Sequence, residues 1–143
     1  MHLHISKGNS KLGSIPNVSL LPGVTCGKVP CAKACYARKF LHRGAVLKSW
    51  KANTDLWKTD PKRFERELWD FLDRKKPVRF RWHVGGDIPD RKYLKMMVRA
   101  AKWNPWTAFY AYTKRYSWLP TGDWRASKPA NLTLLVSRWP GWP

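Results

Sequence analysis

An α/β fold with a mainly parallel sheet is what this sequence predicts, and three observations predict it. Val78–Val84, read Val-Arg-Phe-Arg-Trp-His-Val, alternates at period two, as a half-buried strand does. Two amphipathic helical patterns flank it, and each opens on an aspartate. Further strand-like runs lie near 15–21, at 108–112 and at 131–137. Strands separated by helices form right-handed βαβ units, and such units build a parallel sheet.

Residues 1–14 are polar, contain Gly8 and Gly13, and read as a lead-in to one α/β domain over 15–143. Ser14–Leu21 alternates weakly and predicts a short strand, with Pro16 at its start where a missing N–H is tolerated. Pro22-Gly23 ends it. From about Tyr36 to Trp57, Phe40, Leu47, Trp50 and Leu56 or Trp57 recur at helical steps, with Gly44 as a weak point. Asp60-Pro61 is an N-cap acceptor followed by proline at N1. Phe64, Leu68, Phe71 and Leu72 then share one face of a helix that runs to about Asp73. Arg74-Lys75-Lys76 and Pro77 stop it. After the alternating strand, Gly85-Gly86-Asp87-Ile88-Pro89 turns the chain, and Asp90 caps a helix through about Trp103. Its expected buried side is Tyr93, Leu94, Met97, Val98 and Ala101. Ala108–Tyr112 and Asn131–Ser137 are strands, and Tyr116–Leu119 is a short helical turn.

The 143 residues allow one domain, and a 43% hydrophobic fraction is enough for a core. Lys and Arg number 28 against nine acids, a formal charge of +19. Such a charge favours polyanions. Ten Trp and an aromatic share of 14% accompany it. Cations meet phosphate while rings stack on bases, so nucleic acid or a ribonucleoprotein is the expected partner. The plain alternative is solubility charge over an aromatic core. Met1–Asn9 lacks a long apolar run and a small-residue cleavage site, so no signal peptide is expected. No segment approaches about 18 consecutive apolar residues, so no membrane span is expected. A reducing cytosol follows.

All three cysteines fall within ten residues: Cys26, Cys31 and Cys35. An odd count argues against a disulfide framework. Lys28, Lys33 and Arg38 stand in or beside the loop, and positive charge favours thiolate over thiol. Three thiolates can hold three corners of a metal site and leave a position for a further ligand. Zinc would need a fourth ligand, for which His42 and His83 are candidates. Gaps of four and three residues are unlike the two-residue gaps of zinc knuckles, whereas iron–sulfur clusters tolerate several spacings.

In parallel α/β folds function gathers at the carboxyl ends of the strands. The cysteine loop follows the first strand and Gly85-Gly86-Asp87 the second. Thr113-Lys114-Arg115 follows the third and Arg138-Trp139 the fourth, so all four segments are expected on one side. Gly85-Gly86 leaves bare backbone for a ligand to approach, and Asp87 adds an acceptor; the plain reading is a tight turn with a capping aspartate. A regular strand would turn His83 away from the face of Trp82 and Val84. That histidine is a satisfied buried ring, a zinc ligand or an acid/base group. The nucleic-acid candidates are Lys28, Lys33, Arg38, Lys114, Arg115 and Arg138.

The runs Lys11–Leu20, Thr25–Lys39, Phe80–Asp90, Tyr112–Arg115 and Asn131–Gly141 resemble the phage and prophage gene product 88 family. That resemblance covers nearly the whole chain and implies a phage-encoded protein in the host cytoplasm. A more distant resemblance is to radical S-adenosylmethionine (SAM) enzymes. It implies a partial (β/α) barrel, a 4Fe–4S cluster on Cys26, Cys31 and Cys35, and SAM met by Gly85, Gly86 and Asp87, with Tyr36 flanking the cluster. The radical SAM pattern has cysteine gaps of three and two and Glu in place of Asp, so this chain departs from it at both points. Four strands make half a barrel, so a homodimer or a partner chain is expected over the open sheet edge, or else the chain is a shortened member of its family that has lost the chemistry. A non-catalytic reading runs in parallel: a small basic phage protein, such as a counter-defence inhibitor, with a structural metal site.

Overall fold

The computed structural model describes residues 2–8, 15–22, 44–114 and 128–136. Within them run β1 (Asn17–Val18), α1 (Gly44–Thr59), α2 (Pro61–Lys75), β2 (Arg79–Trp82), α3 (Arg91–Trp103), β3 (Ala108–Thr113) and β4 (Leu132–Val136). The strands form one sheet in the order β1-β2-β3-β4, and every neighbouring pair is parallel. The observed class is therefore the expected α/β class, and the open sheet is consistent with a partial barrel. The helical turn expected at Tyr116–Leu119 and the first residues of the helix expected from Tyr36 lie outside the described residues.

Sheet order repeats chain order, and parallel neighbours joined by right-handed crossovers place α1, α2 and α3 on the same face of the sheet. That face supplies Phe80, Trp82, Phe109, Ala111 and Leu132 to the core. Phe80 lies opposite Phe109, which lies opposite Leu132, and Trp82 lies opposite Ala111. The helices bring Phe64, Leu68 and Leu72 from α2 and Tyr93, Leu94, Met97 and Ala101 from α3. Met96 and Ala100 are buried as well, so α3 sinks a wider stripe than its apolar periodicity marks. Trp57, Phe64 and Tyr93 meet edge-on with centroids 4.9 to 5.6 Å apart, the arrangement that ring quadrupoles favour.

Both aspartate caps form. Asp60 accepts from the Arg63 N–H at 3.1 Å, and Asp90 from the Tyr93 N–H at 2.8 Å. Lys76 ends α2 in a left-handed conformation, φ 43°, with its N–H on the Leu72 carbonyl. The buried face of α1 differs from expectation. Leu47 is exposed, and the buried residues are Asn53, Thr54, Leu56 and Trp57.

β2 is shorter than the expected Val78–Val84. Trp82 ends it, because His83 takes φ 59° and breaks the pleat. A left-handed residue swings its side chain off the alternating pattern. Trp82 and His83 consequently both meet Tyr93, at 5.8 and 5.2 Å between centroids, where a regular strand would part them.

Part of the expected lead-in is integral to the fold. Ser6 pairs antiparallel with Asn17 on the outer side of β1. The Leu3 N–H donates to Glu67 and the His4 N–H to Asn53 Oδ1, while Leu3 and Ile5 pack against the core.

Candidate functional site

The parallel 1-2-3-4 sheet brings the carboxyl ends of all four strands to one side of the molecule. Hydrogen bonds then tie the segments that leave those ends to one another. At the end of β1, Ser19 Oγ accepts from the N–H groups of Val84 and Gly85 at 3.0 and 3.1 Å. The Leu20 N–H donates to the Gly85 carbonyl at 3.0 Å. The start of the cysteine-bearing segment is thus bonded directly to the Gly-Gly turn. Helix α1 holds it from behind. Asn53 Nδ2 donates to the Ser19 carbonyl, and Thr54 Oγ1 accepts from the Leu21 N–H.

Asp87 makes the next link. It is buried, 5% exposed. Its Oδ1 accepts from Thr113 Oγ1 at 2.7 Å and from the Ile88 N–H at 2.7 Å, and its Oδ2 from the Lys114 N–H at 2.9 Å. A carboxylate that collects backbone and hydroxyl donors in this way fixes the exit of β2 to the exit of β3. The two glycines have separate reasons. Gly86 takes φ 81°, a region that side chains disfavour. A Cβ at Gly85 would fall under 3.0 Å from three carbons of the Trp50 ring. The bare backbone of Gly85 is thus covered by an indole from α1.

His83 stands at the root of this turn, 3% exposed, with Nε2 2.8 Å from the Tyr93 hydroxyl. Its Nδ1 has no hydrogen-bond partner among the described residues. Burial, with the Arg81 charge beside it, pushes its pKa down to about 3, so the ring is neutral. Burial and the nearby Asp90 push Tyr93 well above the ordinary phenol range. The pair is a neutral hydrogen-bonded unit inside the core.

Of the residues singled out by sequence, Gly85, Gly86, Asp87 and Lys114 come together at this end of the sheet. Cys26, Cys31, Cys35, Tyr36, His42, Lys28, Lys33, Arg38, Arg115 and Arg138 lie outside the described residues. Among the described residues, no group of three His, Cys, Asp or Glu is placed to hold a metal ion. No described helix is long and apolar enough to cross a membrane. Sequence reading missed Ser19, Asn53 and Thr54, and it placed Trp50 on a helical stripe without its contact at Gly85. The signal available for Asn53 and Thr54 was their place one step from Leu56 and Trp57 on the inner side of α1.

Comparison with known proteins adds an identity to this geometry. A solved structure that matches the chain was not found. The chain is 33% identical over 128 residues to the Gene 88 protein of Mycobacterium phage L5, covering 79% of this chain and 54% of that protein. It therefore spans about half the length of that relative. The family model described as Gene product 88 matches residues 3–139, which takes in the cysteine segment, the Gly-Gly-Asp turn and all four strands. This chain belongs to the gene product 88 family of phage proteins.

Proposed function

We propose that this chain is an iron–sulfur cluster-binding, radical-SAM-like phage protein that acts on or is bound to nucleic acid. The observation that carries the reading is the bonded junction of three strand exits. Ser19 and Leu20 tie the root of the cysteine segment to Gly85, and Asp87 ties that turn to Thr113 and Lys114. Cys26, Cys31 and Cys35 would supply three thiolates to a 4Fe–4S cluster, a donor set that leaves one iron for another ligand. Gly85, Gly86 and Asp87 would face the methionine end of SAM, with Tyr36 beside the cluster. The cluster and SAM together supply one-electron reductive cleavage, chemistry that belongs to the cofactors. Lys28, Lys33, Arg38, Lys114, Arg115 and Arg138 would meet phosphates around the same end.

A specific observation favours a second reading. Asp87 already collects Thr113, Lys114 and Ile88 as donors, and Trp50 fills the space at Gly85. A turn so occupied acts as a strut. In that reading the chain is a small basic protein that binds nucleic acid or a ribonucleoprotein, for example as a counter-defence inhibitor, with zinc as a structural metal and no catalysis.

Metal analysis separates the two. The protein is purified without oxygen, iron, acid-labile sulfide and zinc are counted per chain, and the visible spectrum is recorded with and without SAM. About four irons and four sulfides, with a broad absorption that SAM alters, is the result expected for the first reading. About one zinc and no iron moves the conclusion to the second. Absence of any metal overturns both metal assignments and reduces the cysteines to ordinary thiols.

A further inference from the structure

We propose that the face of the sheet away from the helices is a stacking platform for the bases of single-stranded nucleic acid, built on Tyr110, Tyr112 and Arg81. The proposal rests on the nucleic-acid partner named above and deepens it by assigning the surface.

Strand alternation divides the sheet into two faces. Phe80, Trp82, Phe109, Ala111 and Leu132 point to the helices and are 0 to 1% exposed. The residues between them form the opposite face. Arg81 lies opposite Tyr110, and Tyr110 opposite Thr133. Tyr112 lies opposite Leu135. Arg79 and Ala108 continue the patch toward the start of the strands. Tyr112 is 48% exposed and Leu135 39%, so among the described residues this face is open.

The chemistry of the patch selects its occupant. Tyr110 and Tyr112 meet edge-on at 6.4 Å, which leaves ring faces at different angles. The Arg81 guanidinium lies 5.2 Å from the Tyr112 centroid, and its Nε is a buried donor with no partner among the described residues. An arginine stacked beside a tyrosine adds a cationic plane to the patch, which suits a base or a phosphate. None of the four strands contains Asp or Glu, whereas α2 alone carries Glu65, Glu67, Asp70 and Asp73. With a formal charge of +19, an acid-free aromatic face complements a polyanion that offers flat rings. Unpaired bases present those rings; a duplex hides them in its own stack.

Position supports the same assignment. Tyr112 precedes Thr113, whose hydroxyl bonds Asp87. A base stacked on Tyr112 would therefore sit one residue from the junction of strand exits.

The test is fluorescence anisotropy on the full chain. The probes are a labelled 12-nucleotide single strand and the same sequence as a duplex. The variants are Tyr112→Ala, Tyr112→Phe and Trp103→Ala. Trp103 is 67% exposed at the other end of the strands and serves as the control. Circular dichroism confirms that each variant folds. The expected result is a loss of about tenfold or more in single-strand affinity for Tyr112→Ala, near-native binding for Tyr112→Phe and Trp103→Ala, and weaker duplex binding throughout. Wild-type binding that Tyr112→Ala leaves unchanged, or that Trp103→Ala abolishes instead, overturns the platform while the nucleic-acid reading stands. Wild-type protein that binds neither probe overturns that reading and the platform with it.

Discussion

His83 combines two costs at one position. A left-handed non-glycine residue costs on the order of 1 to 3 kcal/mol, and a buried ring nitrogen without a partner costs about 1 to 3 kcal/mol more. The compensation is local: the ring bonds Tyr93 and packs on Trp82. Its titration makes a clear prediction. Burial holds the folded-state pKa at about 3 against 6.5 for an ordinary histidine. The unfolded chain therefore binds a proton that the folded chain refuses. This contribution to stability is whole above pH 6.5 and is lost as pH falls toward 3. Through this group alone, the folding constant drops about tenfold per pH unit in that window. Urea midpoints at pH 7.5, 6.5 and 5.5 check it, and His83→Gln is expected to flatten the profile there. Glu67, whose carboxyl sits below the usual range, contributes with the same sign below pH 4.5.

At the scale of elements, the helix starts are not equivalent. Asp60 receives the Arg63 N–H at an exposed cap. Asp90 receives the Tyr93 N–H and also the Trp57 indole N–H at 2.9 Å, joining the start of α3 to the end of α1. Removing the first is expected to cost about 1 kcal/mol. Asp90→Ala also leaves a part-buried indole donor unpaired, so it is expected to cost about 2 to 3 kcal/mol. Chemical denaturation of both variants measures the difference. These caps were legible because each is a local signal, an aspartate ahead of a periodic run. The period of β2 was equally plain. What escaped sequence reading was contact between distant residues. Asn53 and Thr54 sit one step from Leu56 and Trp57 on the inner side of α1, but nothing local says that Ser19, Leu21 and His4 use them. Gly85 shows itself as a turn glycine, but nothing local says that Trp50 fills its missing side chain. Asp87 stood out as part of a motif, while its partners Thr113 and Lys114 are visible only once β3 lies beside β2.

For the whole molecule, the formal charge of +19 governs how a nucleic-acid complex responds to its medium. Each phosphate neutralised on a single strand lowers the slope of log affinity against log salt by about 0.7. Four such contacts give a slope of about −3, and a titration from 50 to about 300 mM salt is expected to show one at least that steep. A flat profile would mean that charge contributes little to the complex.

The pairing of Ser6 with Asn17 has a consequence for assembly. Among the described residues one border of the sheet is taken by the chain's own beginning, and β4 is the last strand at the other. Among the described residues, β4 is thus the border at which a further strand could add. A second copy joined through a two-fold axis normal to the sheet would set β4 antiparallel to its twin. Both helix layers would then lie on one side, and the two acid-free faces would join into a single uninterrupted floor.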